Sequence, residues 1–525
     1  MAKIELRGFA GEMPKAQPFY LPETHASSCL NARLENGELS PFRMPDDIHT
    51  LPASAQQIYL HGATWISAGT DADFVPGPVA HDRLYFTQDG GPASVRVAGQ
   101  TYDLAIPTPI TAPTLARNGT LVTAAAEDFA YAWTWVTSLG EETAPSPLSA
   151  RIAMSPGNTV TLSNLPGAVP PNRLITHKRI YRAATTASGA TELFYIAQIA
   201  ASAVSYLHDP AATPDQEVIS TLNFGPPPVG LEGLTAMPNG MMAAFRGKEL
   251  WFCEPYQPHA WPAAYMLTTN DLIIGLAAFG TSLAILTTGT PYVAQGLHPD
   301  QMVMEKSEQP FPCIAKRSIV DMGYSAIYAS TDGLVEISSG AQARLISAEF
   351  WSRQQWNAKQ PYNIRAARLG TRYVMSALPE GETTRRIDLI DTSGQQPFLV
   401  PTSYLARALY SHIESGRLYI LRPDGVTIAE FDSPDGGLSS FTWRSKPFRI
   451  VPEQSFGAAI ISTESGDGAV TMNVYADGAL FHSSAVKDQI FRLPSGMAKT
   501  WQIELTGTAT VIRAAIAHVM GDLAG

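Results

Sequence analysis

Short runs of large apolar residues, each introduced by a glycine turn, recur through the second half of the chain. The runs follow Gly247, Gly280, Gly323, Gly370 and Gly416, so successive copies lie 33, 43, 47 and 46 residues apart. Apolar runs of this length bounded by glycine turns are typical of β-strands. A period of about 40–45 residues built from short strands is typical of a β-propeller, in which each repeat forms one blade. The pattern therefore predicts blades that begin near these glycines.

A further copy of the pattern lies far upstream, where His81 precedes an apolar run and a turn follows at Asp89. It stands 166 residues before Gly247. About 120 of these residues must therefore lie outside the repeat if its period is to stay near 40–45 residues. Residues 112–224 supply this excess. We expect them to form a domain inserted between the first two blades, with residues 51–111 and 225–435 forming the propeller.

The insert has its own pattern of alternating aromatic residues. Tyr131, Trp133 and Trp135 alternate with small or polar residues, and a turn follows at Gly140. Period-two aromatic strands between Gly, Pro and Ser turns, over roughly a hundred residues, are typical of a β-sandwich. The insert is therefore predicted to be a fibronectin type III-like domain.

A second all-β pattern begins where the repeat stops, after Ser433-Pro-Asp-Gly-Gly437. Alternating strands are expected around Trp443, Val470, Phe491 and Trp501. Residues 436–525 are therefore predicted to form a separate C-terminal β-sandwich or jelly-roll domain.

The first fifty residues are rich in proline. Prolines at positions 14, 18, 22 and 41 exclude a long helix and favour an extended N-terminal arm over residues 1–50. A lone strand cannot bury the arm's large apolar side chains, which are Phe9, Phe19, Tyr20, Leu21 and Phe42. We expect the arm either to close the propeller as a strand or to pack against a neighbouring subunit.

Composition agrees with an all-β chain of several domains. The 525 residues are 45% hydrophobic and 16% charged, and the 41 Gly and 40 Pro favour turn-rich β structure. Helical periodicity is confined to short stretches, of which 24–34 and 347–356 are predicted helices.

Charge and cysteine content restrict the partners and the compartment. The net charge is −11 and the chain has no block of like charges. Tight binding to nucleic acid through counterion release is therefore not expected. Cys29, Cys253 and Cys313 have no metal-ligand spacing and indicate a reducing compartment. The chain starts without an apolar leader and has no long apolar run. We therefore expect a soluble protein made in the cytosol, without membrane insertion.

The sequence contains none of the common catalytic motifs. A serine-hydrolase elbow, a zinc-protease helix, a P-loop and a dinucleotide-binding loop are all missing. No catalytic, cofactor-binding or metal-ligating residue is therefore assigned, and no cofactor is expected. Asp71, Asp73 and Asp467 hint at calcium but lack the spacing of an EF-hand loop, so polar turns are preferred.

The chain shares a set of short motifs, in a fixed order, with one protein family. The motifs are Gly8-Phe-Ala-Gly-Glu-Met-Pro, Asn31-Ala-Arg-Leu, Gly37-Glu-Leu-Ser-Pro-Phe-Arg, Trp135-Val-Thr-Ser-Leu-Gly-Glu-Glu-Thr-Ala-Pro-Ser-Pro, Cys253-Glu-Pro-Tyr-Gln-Pro-His-Ala-Trp-Pro, Pro312-Cys-Ile-Ala-Lys-Arg-Ser-Ile-Val-Asp, Tyr328-Ala-Ser-Thr-Asp-Gly-Leu-Val, and Tyr475-Ala-Asp-Gly with Phe491-Arg-Leu-Pro-Ser-Gly. In this order they resemble the tail nozzle or tail-hub proteins of short-tailed bacteriophages, which include tail tubular and phage stabilisation-like proteins. The resemblance covers nearly the whole chain.

The resemblance implies a structural protein of the virion tail, assembled in the host bacterial cytoplasm, and not an enzyme. Such proteins form a homo-hexamer below the head-tail adaptor and portal ring, continue the DNA ejection channel and carry tail fibres or spikes. Six copies would bring about −66 charges, and a negative lumen would let genomic double-stranded DNA pass without specific binding.

Two other functions remain open. Ser433-Pro-Asp-Gly-Gly437 with Trp443 resembles the Asp-box turn of sialidases, which favours a propeller-type glycan-cleaving or glycan-binding tail protein. Its Trp falls three places late, only one copy is convincing, and a glycosidase also needs a pair of carboxyl groups. A cellular propeller scaffold would share the blades but would not explain the arm, the insert and the C-terminal domain in this order.

Overall fold

The protein is described by a computed structural model over residues 3–185, 191–213, 215–392, 397–464 and 468–524. Strands make up 49% of the structure and helices 6%, which confirms the all-β prediction. The chain divides into two compact units. Unit 1 combines Met1–Asp71, Ala284–Val293 and Glu305–Gly525, and unit 2 combines Ala72–Leu283 and Ala294–Met304. Within the described ranges, no helix is long and apolar enough to cross a membrane.

Unit 2 contains two four-stranded antiparallel meanders of the kind that forms a propeller blade. The first has strands Ala72–Pro76, Arg83–Gln88, Ser94–Val97 and Gln100–Asp103. The second has strands Glu232–Ala236, Met242–Arg246, Glu249–Phe252 and Leu267–Thr268. The two meanders share one apolar core that includes the buried side chains Tyr85, Val95, Met242 and Trp261.

The predicted insert is a sandwich of two antiparallel sheets. The three-stranded sheet has the order Thr114–Asn118, Thr159–Ser163, Tyr206–His208. The four-stranded sheet has the order Ile152–Met154, Glu127–Thr137, Ile175–Thr185, Thr191–Ala200. Side chains of both sheets, such as Trp133 and Leu162, meet in one core. The alternation of aromatic residues thus marks a strand whose apolar side faces a sandwich interior.

Four strands follow between residues 273 and 306, where successive segments of the chain belong in turn to unit 2 and to unit 1. They are Ile273–Phe279, Ser282–Thr287, Tyr292–Gln295 and Val303–Lys306.

Unit 1 contains three further meanders of the same kind. The first comprises Val320–Asp321, Ser325–Ser330, Gly333–Ser338 and Gln342–Leu345, and the second comprises Arg365–Leu369, Arg372–Ala377, Arg386–Asp391 and Phe398–Leu405. In the third, Ala408–His412, Arg417–Leu421 and Thr427–Glu430 are joined by Asp46–Thr50. A strand from the N-terminal segment therefore completes the last meander, whereas Gln57–His61 and Thr64–Ala68 form a separate hairpin.

The C-terminal β region is built together with the start of the chain. One sheet has the order Lys3–Leu6, Val511–Ala517, Ala458–Thr463, Phe491–Arg492. The other extends the second meander of unit 1 from Phe398–Leu405 through Ala10–Glu12, His25–Leu30, Phe441–Ser445, Ala498–Gly507, Val470–Ala476 and Ala479–Ser484, with Phe448–Gln454 also pairing to Ala498–Gly507. Trp443 and Trp501 are fully buried in this core.

Of the two helices predicted from the sequence, one is wrong and the other is confirmed in part. Residues 24–34, predicted as a helix, form strands His25–Leu30 and Ala32–Arg33, and the latter pairs with Ser40–Pro41. The strand His25–Leu30 lies between two others, and tertiary pairing overrides its weak helical periodicity. The second predicted helix, 347–356, overlaps the α-helix Arg353–Ala358, which Ser352 and Gln355 cap reciprocally.

The glycines of the sequence repeat do not begin the meanders. Gly280, Gly323, Gly370 and Gly416 lie in the turns between a first and a second strand, and Gly247 lies between a second and a third. All five have positive φ, between 55° and 98°. The repeat therefore marks the tight hairpins that need a left-handed residue, and each meander starts one or two strands earlier. The remaining helical elements are the 3-10 turns Pro18–Tyr20, Thr123–Ala125, Ala263–Tyr265, Pro299–Gln301, Lys316–Ser318, Pro361–Asn363 and Met520–Leu523.

Candidate functional site

The acidic motif of the insert is part of its interior. Glu142 accepts hydrogen bonds from Thr134 Oγ1 at 2.6 Å and from Tyr181 Oη at 2.5 Å, and it pairs with Arg179 at 2.7 Å. The neighbouring Glu141 pairs with a buried arginine, Arg173. Buried carboxylates need such partners, so both glutamates are held in place by hydrogen bonds and ion pairs within the insert.

The motif from 312 to 321 also serves packing. Ser318 Oγ accepts the backbone N–H of Ala329 at 2.8 Å, and Tyr373 Oη donates to the Ser318 carbonyl at 2.8 Å. Lys316 and Arg317 both form ion pairs with Asp71. These two cations lower the pKa of Asp71 against the opposing effect of burial.

The calcium hint therefore has no support at Asp71. Asp467, the other residue that suggested calcium, lies outside the described residues. In the part of the chain that the structure describes, no three His, Cys, Asp or Glu side chains are grouped closely enough to hold a metal ion.

The segment that resembles an Asp-box turn packs against the N-terminal segment. Ser433 Oγ accepts the backbone N–H of Asp435 at 3.4 Å, and Asp432 Oδ1 accepts the backbone N–H of Arg43 at 2.8 Å. A Cβ atom at Gly436 would lie 2.0 Å from the Met44 carbonyl oxygen. A glycine is needed there because the two backbones approach each other closely.

The three cysteines are free thiols in the interior. Burial raises the pKa of Cys253 and of Cys313 to about 12, and burial together with Glu12 raises the pKa of Cys29. Neutral buried thiols are poor nucleophiles and poor metal ligands.

The arm residues named from the sequence fall into two groups. Phe9, Leu21 and Phe42 are buried, at 3%, 3% and 1% exposure. Phe19 and Tyr20 are 51% and 81% exposed. Three of the five side chains thus help to form the core of unit 1, and two remain available for contacts outside the chain.

Phe19 and Tyr20 border a groove of about 580 Å³ in unit 1, here named the aromatic groove. Its other lining residues include Lys3, Gln17, Glu23, Lys446, Phe448, Arg449 and Ile450. Lys446 Nζ donates to the Leu21 carbonyl at 2.7 Å and lies 5.8 Å from the Phe448 ring centroid. This bond ties the 18–20 turn to the strand Phe448–Gln454.

Local sequence explains why the two aromatic side chains point outward. Pro18 begins the 3-10 turn Pro18–Tyr20, and Leu21 ends it by donating its N–H to the Pro18 carbonyl. Leu21 enters the core, so the preceding two side chains remain at the surface. Aromatic rings beside Lys and Arg form a surface that suits an acidic and partly apolar protein segment.

No known family description matches the chain, and no curated protein is similar to it in sequence. Among solved structures, it is similar to the WD40 domain of Pan2 from Neurospora crassa, with 9% identity, a TM-score of 0.28, and coverage of 70% of this chain and 91% of that chain. It is also similar to apo AztD from Citrobacter koseri, with 11% identity, a TM-score of 0.28, and coverage of 70% and 99%. An exo-beta-1,3-galactanase from Phanerochaete chrysosporium has 9% identity, a TM-score of 0.23, and coverage of 74% and 99%. Similarities this weak carry no argument about what this chain binds or does.

Proposed function

We propose that this chain is a structural protein of a short-tailed bacteriophage tail, a nozzle or hub. The ordered motifs support this function, because the motif residues described above serve packing and not chemistry. The proposed assembly is a homo-hexamer below the head-tail adaptor and portal ring. It would continue the DNA channel in the virion tail and carry fibres or spikes.

The observation that carries the proposal is the aromatic groove. Two exposed aromatic side chains, Phe19 and Tyr20, lie in a lining that has three basic residues and one acidic residue, and therefore an excess of positive charge; the charged residues are Lys3, Lys446, Arg449 and Glu23. The chain as a whole carries a net charge of −11, so each copy offers acidic surface to a basic groove on the next copy. We propose that a second copy of this chain occupies the groove.

The test is the mass of the assembly in solution. We expect the purified full-length chain at about 10 µM, above a Kd of about 1 µM, to run as a ring-sized oligomer in size-exclusion chromatography with light scattering. The double variant Phe19→Ser and Tyr20→Ser should shift it towards the monomer. Tyr324→Ser, which removes a side chain that is 93% exposed elsewhere in unit 1, is the matched control.

A chain that stays monomeric, or an oligomer that the double variant leaves intact, would contradict the groove as the contact between copies. Negative-stain images of the oligomer distinguish a six-membered ring from another assembly. Release of sugar from a glycan panel would favour the sialidase-like alternative.

A further inference from the structure

A second cleft in unit 1 lies apart from the aromatic groove and is not explained by the structural proposal. It has a volume of about 420 Å³ and is lined by Glu12, Trp351, Lys359, Arg386, Asp388 and Leu399, among others. We name it the Glu12 cleft. Its volume falls within the range of about 300–1,000 Å³ that is usual for small-molecule sites.

The strand Ala10–Glu12 supplies the first polar group of the cleft. Glu12 Oε1 accepts the backbone N–H of Cys29 at 2.6 Å, which fixes one carboxyl oxygen. Burial and the nearby Asp388 raise the pKa of Glu12, whereas the Cys29 bond and Lys359 lower it, and the net result is a pKa of about 7. This carboxyl group can therefore both donate and accept a hydrogen bond near neutral pH.

An ion pair between a buried aspartate and a partly buried lysine supplies the second polar group. Lys359 Nζ lies 2.8 Å from Asp388 Oδ2, and Asp388 is 6% exposed. Lys359 Nζ also lies 5.1 Å from the Trp351 ring centroid, and Trp351 stacks on Trp356 with centroids 5.3 Å apart. The tryptophan pair and the helix thus hold the lysine in place beside the cleft.

The charges that line the cleft nearly cancel. The charged residues are Glu12, Glu382 and Asp388 against Lys359 and Arg386. With Glu12 protonated, two negative and two positive side chains remain. The carboxylates would repel an anionic ligand, and Lys359 and Arg386 would repel a cationic one. A neutral ligand therefore fits this lining best.

The same lining offers donors, acceptors and an apolar wall. Thr384 adds a hydroxyl, while Pro379, Ala377 and Leu399 form the apolar side. Closely spaced donors and acceptors beside an apolar wall match a ring that carries hydroxyl groups around its edge and C–H groups on its faces.

We propose that the Glu12 cleft binds a neutral saccharide of one or two rings. Glu12 and the Asp388–Lys359 pair would hydrogen-bond its hydroxyl groups, and the wall that includes Pro379 and Leu399 would contact a sugar face. The proposal concerns binding only and is independent of how the chain assembles.

Affinity should depend on pH in a defined direction. A ligand that excludes water from the Glu12 carboxyl favours its neutral form and raises its pKa further. Binding is therefore stronger where Glu12 is protonated and weakens as pH rises through about 7. The charged groups that act on Glu12 are Asp388 and Lys359, while Glu382 and Arg386 line the same cleft and the buried Cys29 thiol is also close. A ligand-induced shift of about one pKa unit corresponds to up to tenfold in affinity.

The experiment is saturation-transfer NMR on the full-length protein with glucose, galactose, N-acetylglucosamine, lactose and chitobiose. At about 10 mM sugar, above a Kd of about 1 mM, at least one sugar should give a signal. Affinity for that sugar should fall by about three- to tenfold between about pH 6 and pH 8.5. Glu12→Gln should bind with no such pH dependence, because an amide does not titrate in this range.

Arg386→Ala and Thr384→Val, which remove side chains that line the cleft outside the core, should weaken binding about tenfold, whereas Glu414→Gln on an exposed turn should leave it unchanged. Melting curves check that each variant is folded. The proposal is overturned if none of the five sugars binds. It is also overturned if Arg386→Ala and Thr384→Val bind like the unmodified protein, or if the pH dependence persists in Glu12→Gln.

Discussion

Arg173 and Glu141 form an ion pair inside the insert, with Nη2 and Oε2 2.6 Å apart and side chains that are 0% and 5% exposed. Glu141 belongs to the Gly140-Glu-Glu-Thr143 turn that follows the strand Glu127–Thr137. Burial lowers the pKa of Arg173, although Glu141 opposes that shift. The pair is therefore a costly arrangement that is tolerable only while both partners are present.

The first prediction follows from this arrangement. Arg173→Met should lower the free energy of unfolding by about 3–5 kcal/mol, because it removes the cation that pairs with the buried Glu141 carboxyl group. Urea denaturation of the full-length chain measures the change. Arg246→Met, which breaks an exposed pair with Glu249, is the control and should cost less than about 1 kcal/mol. Equal costs for the two variants would show that burial does not set the strength of the Arg173 pair.

The second prediction concerns Lys178, which is fully buried in the insert. Its Nζ donates to the carbonyl oxygens of Pro166, Ala201 and Ala203 at 2.6, 2.5 and 2.7 Å. Burial lowers the pKa of Lys178 from 10.5 to about 8. Between these two values the unfolded chain holds the proton that the folded chain has released, so folding stability rises with pH in this window.

Lys178→Met removes this titration. The difference in unfolding free energy between the unmodified protein and Lys178→Met should grow by about 3 kcal/mol as pH rises from about 8 to 10.5. Denaturant titrations at several pH values measure it, and comparison with the variant cancels the tyrosines that titrate in the same range. A difference that stays constant with pH would mean that Lys178 has an ordinary pKa in the folded protein.

Local sequence patterns predicted those parts of the fold in which the pattern lies within a single strand or hairpin. The positive φ required at Gly280 and Gly370 makes the hairpins visible in the sequence, and the alternation from Tyr131 to Trp135 predicts a strand. The alternation did not predict that this strand is buried on both faces. The strand His25–Leu30 gives no such signal. Its partners lie near residue 10 and residue 443, and pairings between distant segments leave no periodic trace.

The aromatic groove and the Glu12 cleft also differ in how far the sequence predicts them. Phe19 and Tyr20 were named from the sequence because a lone strand cannot bury them, and the structure leaves both at the surface. The Glu12 cleft could not be predicted. Glu12, Lys359 and Asp388 come from three separate segments, and none belongs to a motif that indicates chemistry. Only the folded sheet places them together.

The third prediction tests how the N-terminal segment is attached to the meander that ends in Phe398–Leu405. A Cβ atom at Gly11 would lie 2.3 Å from the Leu399 carbonyl oxygen, where backbone cannot move aside easily. Gly11→Ala should therefore separate these two strands and cost about 1–3 kcal/mol of unfolding free energy. Gly69→Ala is the control, because nothing lies within 4 Å of a Cβ atom at Gly69. Equal stability of the two variants in thermal melts would contradict the close approach at Gly11.

The last prediction is that the protein lets DNA pass without binding or cutting it. Sequence-specific or tight binding needs a concentrated basic face, whereas this chain has a net charge of −11 and no block of like charges. In the proposed ring, repulsion between acidic side chains and phosphates would keep the wall from holding the genome. Isolated protein at about 0.15 M salt, where exposed charges are screened beyond about 8 Å, should not change the mobility of duplex DNA in a gel and should show no nuclease activity.

The aromatic groove contains the strongest local group of basic side chains that we describe, so Lys446→Ala is the informative variant. If the unmodified protein retained DNA and Lys446→Ala released it, the groove would be a nucleic-acid site, and its proposed role between copies of the chain would be wrong.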